Sequence, residues 1–550
     1  MADLARISRV TGQSAPTHQR SLDEIADAEI ATLGDIVAVH ARRTPNRAAL
    51  VYRDAETNFA SLDRASDALA DRLIADGLEA GQRIGFLDRN SSDFFTILFA
   101  AAKARLTLVP INFRLAAAEV EFIAKDAGLE ALFVGKEFEP IAAGVRSQLD
   151  ESSRLYVLHK NTGLNIGGEA TSLQRPERRK ALSSDIAVQM YTSGTTGLPK
   201  GVQLSHHAMI RSAIEGLSVW PAMFRPDAAV LGTMPLFHIA ACNLGIAGLY
   251  AGARVEIMRS GTAREIITRI AERNIAVVPL PATLIHDIIR LPDVNALDLS
   301  HLDTLLIAGS GIQVELLREA QQTLGCGFAL SYGMTECCGG LTYLGPADCT
   351  PEAGEKLKSA GLPLGNSEIK IVGGDGEHLP PNRTGEILCR TDRVMSGYWN
   401  RPEQTVSALK GGWYHSGDAG YLDEDGYLYI VDRIKDMVIS GGENIYPAEV
   451  EKALFEHPDV ADVAVIGVPD ARWGEALLAC IIPEDRRHLD PEELRDFLKG
   501  RLASFKIPRL FEFVDAFPMN ASGKVLKREM RDTLSPGSIK PAQAIQETPE

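Results

Sequence analysis

The run Tyr191-Thr-Ser-Gly-Thr-Thr-Gly-Leu-Pro-Lys-Gly-Val202 concentrates hydroxyls, glycines and one lysine in twelve residues. Such a segment can hold phosphate. Thr192, Ser193, Thr195 and Thr196 supply hydroxyl donors, Gly194, Gly197 and Gly201 let backbone approach an anion with no Cβ in the way, and Lys200 adds a compact positive charge. The spacing is not that of a Walker loop. Counted from Gly194, Pro199 stands where the second glycine belongs and Gly201 where the Mg²⁺-binding hydroxyl belongs. The plain alternative is a flexible Ser/Thr/Gly surface loop.

Other clusters weaken that alternative. Ser331-Tyr-Gly-Met-Thr-Glu336 follows apolar Phe328, Ala329 and Leu330, so a ring, a glycine, a hydroxyl and a carboxylate fall at a strand end, where open α/β sheets bind ligands. Tyr332 taken alone would read as core. Trp413-Tyr-His-Ser-Gly-Asp418 offers a carboxylate after a tight turn, suited either to two ribose hydroxyls or to capping the turn itself. Asp432-Arg-Ile-Lys-Asp436 reads equally as a solvated charge run, and Ser522-Gly-Lys524 as a helix cap. Gly309-Ser310-Gly311 follows an apolar run, but Val314 occupies the third glycine position of a dinucleotide fingerprint.

The elements that must position these groups alternate along the chain. Ile186 to Tyr191 reads as a buried strand leading into the first segment. Leu62, Ala65, Leu69 and Leu73 recur at helical spacing behind a cap at Ser61, and Arg83 to Leu87 reads as a strand. Helix 91–105, strand 106–111, helix 116–127 and strand 131–134 follow. This is layered α/β with mostly parallel sheets. Short strands near Glu386 and Tyr427 indicate a small β-rich subdomain. Beyond 432–436, strand Val463 to Gly467, helix 491–502, strand Leu510 to Val514 and a helix from Lys524 make a compact α/β unit. The tail 535–550, rich in Pro, Gln, Ser and Glu, reads as disordered.

Composition narrows the function. A chain of 550 residues exceeds a single core, and 45% hydrophobic with 24% charged residues is an ordinary globular balance. The net charge of −16, from 57 basic and 73 acidic residues, argues against nucleic acid as a partner. Seven cysteines without a CxxC pair point to reduced thiols and a cytoplasmic setting. The most apolar stretch, Phe94 to Ile111, is broken by Lys103 and Arg105, so no membrane span is expected, and neither a signal peptide nor a terminal Ser-Lys-Leu is evident.

Tyr191 to Val202, Pro235-Leu-Phe-His238, Tyr332 to Glu336, Tyr414 to Asp418, Asp432 to Asp436, Ser440-Gly-Gly-Glu-Asn444 and Asn520-Ala-Ser-Gly-Lys524 occur in this order. Together, over about residues 35 to 530, they resemble the adenylate-forming superfamily, and within it the acyl-CoA synthetases. The resemblance implies an extension over 1–34, an adenylation domain over 35–432 that binds ATP and acid, a hinge at 433–436 and a mobile α+β C-terminal domain over 437–534. It implies ATP, Mg²⁺ and CoA, and activation of a small carboxylic acid as acyl-AMP. A homodimer is compatible with it.

The same resemblance implies roles residue by residue. Thr192, Ser193, Gly194, Thr195, Thr196, Gly197 and Lys200 would hold the β- and γ-phosphates, Thr335 the α-phosphate, and Glu336 with Thr192 the metal. Ser331, Tyr332, Gly333 and Met334 would line the adenine, as would Gly309, Ser310 and Gly311, while Asp418 and Arg433 would take the ribose. Lys524 would supply charge to the reacting carboxylate and α-phosphate, and Lys435 would be the hinge. Ser440, Gly441 and Gly442 would then face CoA. His238 would gate the acid, with Phe237, Ile239, Ala308 and Gly309 in the acyl pocket. It would not act as a base, since carboxylates are already ionised at neutral pH.

The segments Met234 to Cys242, Val277 to Ile285, Ala308 to Ile312 and Leu330 to Gly333 contain no Lys, Arg, Asp or Glu. A second carboxylate or an ammonium there would lack a counter-charge. An apolar monocarboxylate remains, with medium- or long-chain fatty acids first and aryl or branched acids next. A carrier-protein ligase, a luciferase-like oxygenase and a non-enzymatic ATP-binding module are the other classes. The 26 residues after Lys524 leave no room for a fused carrier domain.

Overall fold

The computed structural model describes residues 22–148, 153–158, 180–192, 199–307, 312–433, 436–440, 443–470, 474–484, 489–499, 501–519 and 525–534. They fall into two compact units, one of residues up to 369 with 389–414, the other of 370–388 with residues from 415 on.

Two seven-stranded sheets build the first unit. In one, Gly327–Leu330, Thr304–Ile307, Ile275–Leu280, Ala229–Gly232, Arg254–Ile257 and Ala48–Tyr52 run parallel in that spatial order, closed by antiparallel Ala55–Asn58. In the other, Ile186–Thr192, Thr107–Pro110, Arg83–Leu87, Leu129–Gly135 and Arg154–Leu158 are parallel, and Lys200–Ser205 and Gly397–Tyr398 extend the edge antiparallel.

Helix Ser92–Ala104 touches Ala48–Tyr52 of one sheet and Thr107–Pro110 of the other. That position explains why Phe94, Phe95, Ile97, Leu98 and Phe99 are all buried: a helix covered on every side needs no polar face. The charges that interrupt the run are paired, Lys103 with Asp63 at 2.6 Å and Arg105 with Asp185 at 2.8 Å. Among the described residues no helix is long and apolar enough to cross a membrane.

The expected elements recur as Arg83–Leu87, Ser92–Ala104, Thr107–Pro110, Ala117–Ala127 and Leu129–Gly135. Boundaries differ where caps decide. Helix Phe59–Ala75 starts ahead of Ser61, because the Asn58 side chain accepts from the Ser61 amide at 2.8 Å. Helix Pro491–Leu498 stops short of 502, as Lys499 leaves helical geometry at ψ 131°. The last helix is Lys527–Thr533, since Val525 bridges to Met519 instead.

In the second unit, Val460–Asp470 and Gly474–Pro483 form a long antiparallel pair. Val438–Ser440 with Glu443–Ile445 joins one end, and Leu510–Phe513 runs parallel to Gly474–Pro483. Period-two alternation divides the first strand between two cores. Val463 and Val465 pack with Val450, Leu454, Leu494 and Leu498, while Ala464, Ile466 and Val468 pack with Phe517 and Met530. Each fully buried valine or isoleucine contributes on the order of 2 kcal/mol, so both faces of this strand hold the unit together. Asp432 and Asp436 are not a solvated run: Asp432 accepts from the Ala448 amide at 2.8 Å, and Asp436 pairs with Arg531 at 3.1 Å. All seven cysteines are free thiols.

Candidate active site

Parallel strands leave their following loops at one edge, and four neighbouring strands of the first sheet do so here. Leu280 pairs with Ile307 and Ile307 with Leu330, so the segments after 280, 307 and 330 emerge side by side, joined by the one after Gly232. Tyr332 therefore stands half-exposed at a strand end and is not core. Gly333 pairs with Gly340 so closely that a Cβ would meet the Gly339 carbonyl oxygen at 2.0 Å, which admits only glycine. Thr335 and Glu336 follow in a single 3₁₀ turn that ends at Cys338 with φ 55° and Gly339 with φ 110°.

The phosphate-type segment belongs to the second sheet, where Thr192 lies opposite Lys200 in an antiparallel pair. Ser193, Gly194, Thr195, Thr196 and Gly197, like Ala308, Gly309, Ser310 and Gly311, lie outside the described residues. Gly201 is also closely packed. A Cβ there would meet the Gln189 amide nitrogen at 2.6 Å.

A third strand connects Lys200 to Glu336. Gly397–Tyr398 pairs with Lys200–Ser205 and sets the Tyr398 ring 5.1 Å from the Lys200 ammonium. The Tyr398 hydroxyl donates to Glu336 Oε1 at 3.0 Å, and the Met395 amide donates to the Glu336 carbonyl at 2.7 Å. Burial and then the Glu336 charge hold the Tyr398 phenol well above its ordinary range. Tyr414 is raised for the same reasons in the same order. Both phenols stay protonated; Tyr398 donates to the carboxylate, and Tyr414 is hydrogen-bonded to Tyr398. Sequence reading missed Tyr398 and gave Tyr414 no role, although Tyr414 opens the motif that ends at Asp418.

The segment after Gly232 carries Phe237 and His238. His238 precedes helix Ile239–Tyr250, its ring 4.4 Å from Phe237, which itself meets Phe113 edge-on at 5.4 Å. Burial, then the charge of Arg114, lowers the His238 pKa to about 4, so the imidazole is neutral at pH 7. Asn90, also missed, fixes this segment. Its amide donates to the carbonyls of Met234 at 2.9 Å and Met258 at 3.1 Å, and its carbonyl accepts from the Leu236 amide at 2.9 Å. Beside it a small cavity is lined wholly by apolar residues, among them Val230, Met234, Leu236, Ala241, Leu244 and Ile257.

In the second unit, Asp418 is in a strand, not after a turn. It is 7% exposed within Tyr414–Leu422 and stands opposite Arg433 in register. Ser440 ends the strand Val438–Ser440. Gly441, Gly442, Lys435 and Lys524 lie outside the described residues.

Residues 37–399 match the AMP-binding enzyme family and residues 449–524 the AMP-binding enzyme C-terminal domain. The chain belongs to the AMP-binding enzyme family. It is 37% identical to the fatty acid–[acyl-carrier-protein] ligase ScoC of Streptomyces coeruleorubidus, across 93% of this chain and 98% of that one. It is 36% identical to a feruloyl-CoA synthase of an Amycolatopsis species, across 91% and 98%. Its fold matches the Bacillus subtilis o-succinylbenzoate coenzyme A synthetase in complex with ATP and magnesium, with a TM-score of 0.79, 30% identity and coverage of 90% and 99%. This AMP-binding enzyme is thus an ATP-dependent, AMP-forming ligase of the adenylate-forming superfamily that joins an acid to the thiol of CoA or of a carrier protein, with ATP and Mg²⁺ as cofactors.

The donor set fits magnesium. Among the described residues no group of three His, Cys, Asp or Glu could hold a metal ion, but Mg²⁺ binds through one or two carboxylates plus nucleotide phosphates and water. Glu336, hydrogen-bonded by Tyr398, could serve as such a carboxylate.

Proposed function

We propose that this ligase activates an apolar monocarboxylate, a medium- or long-chain fatty acid first, as acyl-AMP and transfers the acyl group to CoA, releasing AMP and pyrophosphate. The observation that carries this reading is the uncharged character of the segment bearing Phe237 and His238: its Met234, Leu236 and Ala241 turn to apolar neighbours, and the buried His238 imidazole is neutral. An alkyl chain gains about 0.8 kcal/mol per buried methylene in such surroundings, while a second charge would go unpaired.

In this account Thr192 and Lys200, with the residues between them, hold the β- and γ-phosphates. Thr335 donates to the α-phosphate and Glu336 ligates Mg²⁺, which supplies charge neutralisation when bound. Tyr332 stacks on adenine, and Asp418 accepts from the ribose with Arg433 in support. Lys524 brings its ammonium to the attacking carboxylate and the α-phosphate, stabilising charge that grows in the transition state. Rotation at Lys435 then exchanges Lys524 for Ser440, Gly441 and Gly442, which leave room for pantetheine.

The feruloyl-CoA synthase likeness favours an aryl acid as the second reading, and the ScoC likeness favours a carrier protein as acceptor. Hydroxamate formation with ATP and Mg²⁺ across fatty, aryl and dicarboxylic acids tests the acid, and thioester formation with CoA against phosphopantetheinyl carrier tests the acceptor. Fatty acids and CoA giving the highest kcat/KM is the expected result. Aryl acids leading by tenfold or more would overturn the fatty-acid reading.

A further inference from the structure

Behind the Thr335–Glu336 turn lies an ion pair sealed from solvent. Arg393 and Glu215 side chains are 1% and 0% exposed, and Arg393 Nε donates to Glu215 Oε2 at 2.7 Å. The rest of the guanidinium faces the turn. Nη1 donates to the Cys337 carbonyl at 2.9 Å, and Nη2 to the Gly340 carbonyl at 2.5 Å and to Ser367 Oγ at 3.0 Å. From two helices, Ser212 Oγ and Asn243 Nδ2 each donate to the Cys338 carbonyl at 2.7 Å. Three carbonyls of one turn are therefore held from outside it.

The turn needs such holding. Cys338 is a non-glycine residue in the left-handed region, an arrangement that persists only where surroundings impose it. Apolar residues of similar volume would fill the space at no desolvation cost, so the pair adds little stability by itself, and what it visibly supplies here is a set of donors to the turn. Arginine suits the position because its planar fork reaches several acceptors at once, which a lysine ammonium does not.

We propose that Arg393, oriented by Glu215, is a positioning residue for nucleotide binding: it fixes the Thr335 to Gly340 turn so that the Thr335 hydroxyl and the Glu336 carboxylate are preset for Mg·ATP. This rests on the reading of Glu336 as the carboxylate on the magnesium side. Arg393, buried and bonded to the turn's carbonyls, would act through the turn and not by contact with substrate or metal.

The double variant E215Q/R393M removes both charges and leaves neither unpaired, so a purely structural role predicts that stability and function recover together. The proposal instead predicts a thermal midpoint near that of the parent, faster amide hydrogen exchange confined to residues 335–340, and Mg·ATP affinity by calorimetry weakened by about tenfold, the size expected of a lost supporting shell. The KM for the acid should move less than twofold. Parent-like exchange and affinity in the double variant, or equal losses for ATP and acid, would overturn it. If the double variant does not fold, R393K, which keeps the charge beside Glu215, answers by the same two readouts. E336Q is the control for the underlying reading: unchanged Mg·ATP affinity there removes the role of Glu336, while exchange at 335–340 still decides whether Arg393 holds the turn.

Discussion

Tyr398 joins two groups that sequence assigns separately, Lys200 and Glu336. Its ring lies 5.1 Å from the ammonium and its hydroxyl 3.0 Å from the carboxylate. Tyr398→Phe keeps the ring and removes one hydrogen bond to a charged acceptor, a loss of about 1.5–3 kcal/mol. Steady-state kinetics should show kcat/KM for ATP falling by roughly tenfold or more with the KM for the acid little changed; no change would mean that the hydroxyl is incidental. Thr335, Glu336 and Lys200 stand out as candidates in the sequence because hydroxyl, carboxylate and amine announce chemistry by type. Tyr398 and Asn90 were not, since a tyrosine in a Gly-Tyr-Trp run reads as core and an asparagine before a helix reads as a cap. Asp418 was found by type but misplaced by a tight-turn reading that the strand pairing with Arg433 replaces.

At the scale of elements, helix His206–Val219 carries Ser212 and Glu215 against the turn, and its first residue is a buried histidine. Burial lowers the His206 pKa to about 4, against some support from Asp185 and Asp35. Between pH 6.5 and about 4 the unfolded chain therefore binds a proton that the folded helix start does not, so stability falls as pH falls through that window. The loss amounts to on the order of 3 kcal/mol at its lower end. His206→Gln should flatten the decline of the thermal midpoint between pH 7 and pH 4.5; an unaltered slope would assign the acid sensitivity elsewhere. Element types followed from periodicity, as in Ser92–Ala104, whose all-round burial explains an apolar run too interrupted to span a membrane. Boundaries did not, because Asn58 and Lys499 set them through capping and backbone geometry that hydrophobic spacing does not encode.

For the whole molecule, the proposed division of labour assigns the acid, phosphates and adenine to segments of the first unit, the ribose to Asp418 and Arg433 of the second, and the charge at the reacting atoms to Lys524. Lys524→Ala should suppress acyl-adenylate formation by at least about a hundredfold, the scale of one lost transition-state contact. Reaction of preformed acyl-AMP with CoA should persist, and equal loss of both half-reactions would refute that assignment. The order of the seven motifs made the superfamily legible. The acid was not, because apolar walls exclude charge without choosing between a chain and a ring.

The most direct test is isotope exchange between pyrophosphate and ATP with Mg²⁺, measured without CoA, as a function of added acid. The account predicts exchange that is absent without acid, appears with apolar monocarboxylates and stays absent with dicarboxylates. Exchange independent of any acid, or none with the whole panel, would contradict it.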